Sequence, residues 1–220
     1  ARVLRWDHDA LRGDVTHESL LRSVLDHEVD IIVGTQMVAK GLDLPDVTAV
    51  GVINADTYLY LPDIRAAERT FQMVTQVAGR AGRRASGGEV VLQTYSPAHY
   101  AITSAARHDY AAFYREEIAF RARHGYPPFK RLARLMIRNS DETRARTEAE
   151  TLAEALERAL LGRPEIRGID IIGPAPAFSS RVRGQYGWQI IVRGGPLLAL
   201  LSDLNLHPGW MIDVDPVNLL

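Results

Sequence analysis

Asp30-Ile31-Ile32-Val33-Gly34-Thr35-Gln36 is an apolar run that ends in a polar turn. A strand that is apolar at every position predicts a parallel sheet covered on both faces, because a sheet with one wet face would alternate apolar and polar residues. Upstream of it, residues 3–6 are apolar and residues 18–27 have a helical pattern. Downstream come another strand at 47–53, a long helix from about Ile64, and a strand at 89–94. Strands interleaved with helices make residues 1–95 one α/β lobe.

Residues 96–130 read as a helical connector. Its helix, around 110–123, is stopped by Gly125-Tyr126-Pro127-Pro128, which cannot continue a helical hydrogen-bond ladder. Residues 131–220 read as a small α+β domain. A strand at 132–138 leads to Ser140-Asp141-Glu142, which opens a helix striped by Ala145, Ala149, Leu152, Leu156 and Leu160. A strand at 169–172, a Gly/Pro-rich loop at 173–187, a strand at 188–192, a helix at 196–204 and a strand at 210–214 follow. The predicted order is β-α-β-β-α-β, the split unit of ferredoxin-like domains.

Composition narrows the function classes. The 220 residues are 46% apolar and 24% charged, ordinary for a chain that buries a core, and no apolar run nears the length of a membrane span or a secretory signal. A cytoplasmic protein is the expectation. Cysteine is absent, so these residues hold neither a disulfide nor a thiolate zinc site, and the seven histidines show no metal-ligand spacing. The net charge of −1 requires any nucleic-acid contact to come from a local patch. The basic residues are arginines apart from Lys40 and Lys130, and the chain opens without methionine, which reads as a fragment.

Two constellations could carry chemistry in the lobe. Gly34-Thr35-Gln36, continuing to Lys40-Gly41-Leu42-Asp43, follows a strand at the end where open α/β sheets bind ligands. Its amides, hydroxyl and ammonium suit phosphate oxygens, and Asp43 could accept from a ribose hydroxyl. An ordinary βα turn with solvated polar residues has the same composition. The second is Gln76-Val77-Ala78-Gly79-Arg80-Ala81-Gly82-Arg83, at the end of a helix striped by Ile64, Ala67, Phe71, Val74 and Ala78. Continued helically, the run turns Gln76, Arg80 and Arg83 to one side, nearly opposite the stripe. Each helical glycine costs about 1 kcal/mol relative to alanine, which suggests a close approach there; a solvated face ending in helix-breaking glycines is the plain alternative. Asp63 reads as an N-cap, with Arg65, Glu68 and Arg69 as local helix pairs. In the C-terminal domain, Arg181, Arg183, Gln185, Tyr186 and Trp188 interleave cations with rings, a pattern suited to DNA or a partner; Trp188 could equally be core.

Thr35-Gln36 with Lys40-Gly41 resembles motif V of superfamily 2 helicases, and Gln76-x-x-Gly79-Arg80-x-Gly82-Arg83 resembles motif VI. Asp56-x-x-Leu59-x-x-Pro62-Asp63, Tyr126-Pro127-Pro128-Phe129, Gly173-Pro174-Ala175-Pro176, Trp188-Gln189-Ile190 and Asp213-Val214-Asp215-Pro216 are similar to the primosomal replication-restart helicases of the PriA kind, over essentially the whole chain. The resemblance implies a RecA-like second helicase lobe followed by the family's C-terminal domain. It implies a 3′–5′ DNA motor that recognises stalled forks and D-loops, takes part in DNA repair and restarts replication through primosome assembly. Arg83 would be the arginine that stabilises the transferring phosphoryl group, Arg80 a phosphate sensor and Gln76 an orienter. Gly41, Asp43, Gly79 and Gly82 would border the nucleotide. Thr35, Gln36 and Lys40 would follow the DNA backbone, and Arg181, Arg183, Tyr186 and Trp188 would contact DNA or a partner.

The implied cofactors are ATP and Mg2+, held mainly by a first lobe, with zinc on cysteines upstream. The implied partners are forked and single-stranded DNA, the single-strand-binding protein, and primosome and replicative-helicase loading proteins. No phosphate loop or acidic magnesium motif occurs in these residues, so the chain alone is expected not to hydrolyse ATP. Asp43 sits in a Gly-x-Asp variant closer to other superfamily 2 members. Gln185 and Gly187 stand where many relatives carry arginine, which weakens the expected contact with the acidic tail of the single-strand-binding protein. The alternatives are a RecG-like translocase and a helicase-inactive fork-binding loader.

Overall fold

The computed structural model describes residues 1–220 apart from 12–14, 36, 37, 39–43, 45, 82–87, 164, 203 and 205. The chain divides into two units, Ala1–Tyr60 with Ala67–Phe113, and Leu61–Ala66 with Tyr114–Leu220.

In the first unit, β1 (Val3–Trp6), α1 (His17–Leu25) and β2 (Ile31–Gly34) form one β-α-β crossover, with β1 and β2 parallel. Thr16 caps α1, accepting from the Ser19 amide while the Ser19 hydroxyl accepts from the Thr16 amide. A second crossover is made by β3 (Ala49–Val52), α2 (Ala66–Ala78) and β4 (Glu89–Leu92), again parallel. The expected parallel strands joined through helices are present, while a single sheet covered on both faces is not seen among the described residues. Among the described residues there are two separate two-stranded sheets, and Val3, Ile31, Val33 and Val91 remain exposed. Each pair has a single crossover helix, and one helix covers only one face of the strands it connects.

The core beside β3 and β4 is built on α2, α3 (Tyr100–Ala106) and the start of α4 (Tyr110–His124), where the Phe71 and Phe113 rings stack at 4.4 Å. Phe71 and Val74 of the predicted stripe are buried. Asp63 accepts from the Arg65 amide at 3.0 Å, so it closes a turn just ahead of α2.

The second unit is a four-stranded antiparallel sheet in the order β6-β7-β5-β8, with β5 (Arg131–Asn139), β6 (Asp170–Val182), β7 (Gln185–Gly194) and β8 (Trp210–Val214). Helix α5 (Glu142–Leu161) follows β5 and the short α6 (Leu197–Leu201) follows β7. Asp141 caps α5, accepting from the Thr143 and Arg144 amides. The side chains of Ala145, Ala149, Leu152 and Leu156 are buried, the last two in a cluster with Leu135, Ile190 and Val192.

The predicted loop at 173–187 is instead most of a β-hairpin. Pro174 and Pro176 are tolerated because β6 lies at the sheet edge, where a missing N–H breaks no ladder bond, and because the register of β6 shifts on either side of them. Gly173, at φ 106, would carry a Cβ 3.0 Å from the Gln189 carbonyl, so only glycine fits. At the far end of α4, Gly125 (φ 62) turns the chain into Tyr126. Arg193 then holds that corner, with its guanidinium 5.5 Å from the Tyr126 ring centroid and bonded to Asp170 and the His124 carbonyl.

No helix among the described residues is long and apolar enough to cross a membrane.

Candidate functional site

Thr35 stands exposed at the carboxyl end of β2, and its carbonyl accepts from the Val38 amide at 3.1 Å to begin the turn. The parallel register sets Trp6 beside Gly34. Trp6 is fully buried and donates its indole N–H to His17 Nδ1 at 3.1 Å, which anchors the end of β1 to α1. A Cβ on Gly34 would collide with the Trp6 carbonyl and the Val38 side chain, so glycine is required for the turn to leave β2. In the sequence Gly34 is one more source of an amide donor; its steric role depends on which strand lies alongside. Gln36, Lys40, Gly41 and Asp43 lie outside the described residues.

Helix α2 ends at Ala78 and passes into a turn in which the Arg80 amide reaches the Val77 carbonyl at 3.0 Å and the Ala81 amide the Ala78 carbonyl at 3.3 Å. Gly79 still donates to the Thr75 carbonyl at 3.0 Å, so among the described residues tighter i to i−3 bonds replace the α-helical ladder only at Arg80 and Ala81, where the expected single helical face is not continued. Gln76 and Gly79 are exposed and Arg80 is half-buried. A Cβ at Gly79 would meet only the Thr75 and Gln76 carbonyls, at 3.5 and 3.6 Å. Those are ordinary contacts, so no close approach within the described residues demands glycine there. Gly82 and Arg83 lie outside the described residues.

Asp56, one of the residues carrying the family resemblance, is buried and structural. Its carboxylate accepts from the Thr94 hydroxyl at 2.7 Å and the Tyr95 amide at 2.8 Å, tying the segment after β3 to the segment after β4. Tyr60 and Ser96 add a hydroxyl pair to the same junction. Sequence spacing gave no sign of this link, which joins residues 38 and 39 apart in the chain.

In the second unit, the hairpin brings together the basic and aromatic residues singled out in sequence. Arg181 and Tyr186 are cross-strand partners, and the guanidinium lies 5.1 Å from the ring centroid. Arg183 (φ 49) and Gly184 (φ 79) make a two-residue turn with both residues left-handed, the form whose twist suits a hairpin. An arginine in that conformation costs on the order of 1 kcal/mol. Trp188 is half-buried, with the Arg146 guanidinium of α5 5.9 Å from its ring centroid. Arg146 also donates to Glu150 at 2.7 Å, and that hydrogen bond and charge raise its pKa further. Gly187 is buried, and a Cβ there would stand 3.2 Å from Arg138 Nη1 and 3.3 Å from the Ala177 Cβ. Its lack of a side chain leaves room for the Arg138 guanidinium to lie across the sheet. Among the described residues, no group of three His, Cys, Asp or Glu side chains could hold a metal.

Residues 6–85 match the family model of the helicase conserved C-terminal domain, and residues 122–217 that of the primosomal protein N C-terminal domain. The chain is 42% identical over 212 residues to replication restart protein PriA of Bacillus subtilis (strain 168), covering 94% of this chain and 26% of that protein. Against the Synechocystis protein of the same name it is 36% identical over 225 residues, 99% of this chain and 26% of the relative. Against that of Treponema pallidum the identity is 38% over 228 residues, 100% and 34% of the two chains. The chain thus spans between a quarter and about a third of the length of these relatives.

Proposed function

Because the chain belongs to the family of replication restart protein PriA, we propose that it supplies the second, RecA-like lobe and the C-terminal domain of an ATP-driven 3′–5′ DNA helicase. The motor recognises stalled forks and D-loops and restarts replication through primosome assembly. The observation that carries this reading is the end of α2, where exposed Gln76 and half-buried Arg80 flank a glycine that nothing in the described packing requires. An amide and a guanidinium about one helical turn apart at a helix end suit phosphate oxygens.

In this reading a first lobe, outside these residues, binds most of the ATP and its Mg2+, which together supply the phosphoryl group and neutralise its charge. Arg83 stabilises charge developing on that group, Arg80 senses the phosphate and Gln76 orients. Gly41, Asp43, Gly79 and Gly82 border the nucleotide. Thr35, Gln36 and Lys40 follow the DNA backbone, positioning the strand without reading its sequence. Arg181, Arg183, Tyr186 and Trp188 give the C-terminal domain a surface for forked or single-stranded DNA. Zinc belongs to cysteines elsewhere in the full-length protein. The single-strand-binding protein and the loading proteins are partners of the whole assembly. The match over residues 122–217 to the primosomal domain favours this reading over a RecG-like translocase.

The test is DNA-stimulated ATP hydrolysis by the full-length protein on a forked substrate, wild type against Arg83→Ala. Loss of a transition-state arginine lowers such rates by about 10³- to 10⁵-fold. A well-folded wild type without ATPase activity would sink the motor and leave a fork-binding loader.

A further inference from the structure

We infer that the β6–β7 hairpin is a base-stacking platform for an unpaired nucleic-acid strand, with Tyr186 and Trp188 as its two steps and Arg146 as a positioning residue for the second. The inference rests on the reading of this hairpin as a DNA-contacting surface and specifies what it takes: unpaired bases rather than the outside of a duplex.

Tyr186 and Trp188 are two apart on β7, so both rings project from the same sheet face, roughly 6.5 Å apart along the strand. An extended single strand can present successive bases at about that interval. The same face continues through Ile190 and Val192 into the core under α5, and the two rings beyond them are half-buried, so part of each stays open. Each already has a cation over it, Arg181 for Tyr186 and Arg146 for Trp188. A planar guanidinium resting on a ring occupies the kind of surface that a base would take.

Charge sets the class of ligand. No acidic residue lies between Asp170 and Asp203, although the whole chain is at −1. Glu150 faces Arg146 and neutralises the Trp188 end, which leaves Arg181 and Arg183 to meet phosphates at the hairpin tip. The edge of the hairpin argues against an extended peptide. A peptide adding to a sheet needs an open row of N–H and C=O groups, whereas β6 carries Pro174 and Pro176, and its residues 177–180 bulge opposite the single residue Gly187. Phe178, within that bulge, is exposed.

The test is photocrosslinking of the 220-residue chain to a 20-nucleotide oligo(dT) carrying 5-iodouracil, in single-stranded form and annealed to its complement, with crosslinked peptides mapped by mass spectrometry. Crosslinks to Tyr186 or Trp188 in the single-stranded form, lost in the duplex, are expected. Tyr186→Leu and Trp188→Leu should weaken single-strand binding measured by anisotropy by about 5- to 150-fold each, with Tyr186→Phe and Trp188→Phe near wild type. Arg181→Gln and Arg183→Gln should each flatten the salt dependence by a slope of about 0.7. Thermal melting of each variant separates lost contact from lost fold. If the arginine variants weaken binding while crosslinks fall elsewhere and the leucine variants bind normally, the hairpin touches only the backbone and the platform is wrong. If no variant has an effect, the hairpin is not a DNA surface, and that part of the proposed function fails with it.

Discussion

Trp6 and Gly34 face each other on adjacent parallel strands, so close that a Cβ on residue 34 would run into the Trp6 carbonyl. Neither partner can give way easily, because Trp6 is fully buried and hydrogen-bonded to His17. Gly34→Ala should therefore destabilise the first unit by about 1–3 kcal/mol, the usual cost of overpacking. It should also displace Thr35. Urea unfolding followed by Trp6 fluorescence, in a background with Trp188 and Trp210 replaced by Phe, checks the first effect. An unchanged midpoint would mean that the backbone relaxes and the turn does not depend on this approach.

Asp56 ties two loops together from a buried position, with the Thr94 hydroxyl and the Tyr95 amide as its donors. Asp56→Ala removes the acceptor from both, and unsatisfied partners cost about 1–3 kcal/mol. Asp56→Asn keeps the shape but loses one acceptor oxygen, so it should fall between the two. Chemical denaturation of the three proteins gives the order directly. An asparagine variant as stable as wild type would show that the Tyr95 amide is satisfied by water instead.

What could be read in the sequence was governed by how local the determining physics is. Helix α5 was readable because its Asp141 cap and its stripe of Ala145, Ala149, Leu152 and Leu156 lie within one segment. The hairpin was hidden because Pro174, Pro176 and three glycines over residues 173–187 signal a loop unless β6 is known to be an edge strand. Helix α3 was missed because seven residues are too few to show a period, and the burial of Ala101, Ile102 and Ala105 becomes visible only in the packed core. In the candidate site, the residue types at the end of α2 were legible from spacing, and its glycines offered a helix end without fixing it at Ala78. The cation–π partner of Trp188 also had to come from the structure, since Arg146 lies 42 residues away.

The second unit should lose stability at acid pH through Asp215 and Asp170. The hydrogen bond from Arg131 holds the Asp215 carboxyl below its ordinary value. Partial burial pushes Asp170 up, but hydrogen bonds from Arg193 at 3.0 Å and Lys130 at 3.3 Å outweigh it, and the net shift is down. A carboxyl with a depressed folded pKa contributes its stability above the unfolded value, about 3.9, and loses it as pH falls through the folded value. The side chains are 42% and 46% exposed, so the effect is modest and screened by salt. Melting the wild type and an Asp170→Asn/Asp215→Asn variant from pH 7 to pH 3 should show a gap in Tm that narrows below about pH 4. A gap of constant width would assign the loss to packing rather than charge.

Gly79 separates stability from function. Among the described residues a Cβ there would meet two carbonyls at ordinary contact distance, and its backbone is not in the left-handed region. Alanine there should therefore stabilise the first unit by about 0.4–1 kcal/mol, mainly by restricting the unfolded chain. If the bare backbone is kept for a phosphate to approach, the same substitution should lower DNA-stimulated ATP hydrolysis by the full-length protein even as its melting temperature rises. Opposite movements of the two readouts would tie the glycine to the nucleotide. A rise in stability with unchanged hydrolysis would reduce Gly79 to a helix terminus, and the role assigned to this turn would then rest on Gln76, Arg80 and Arg83 alone.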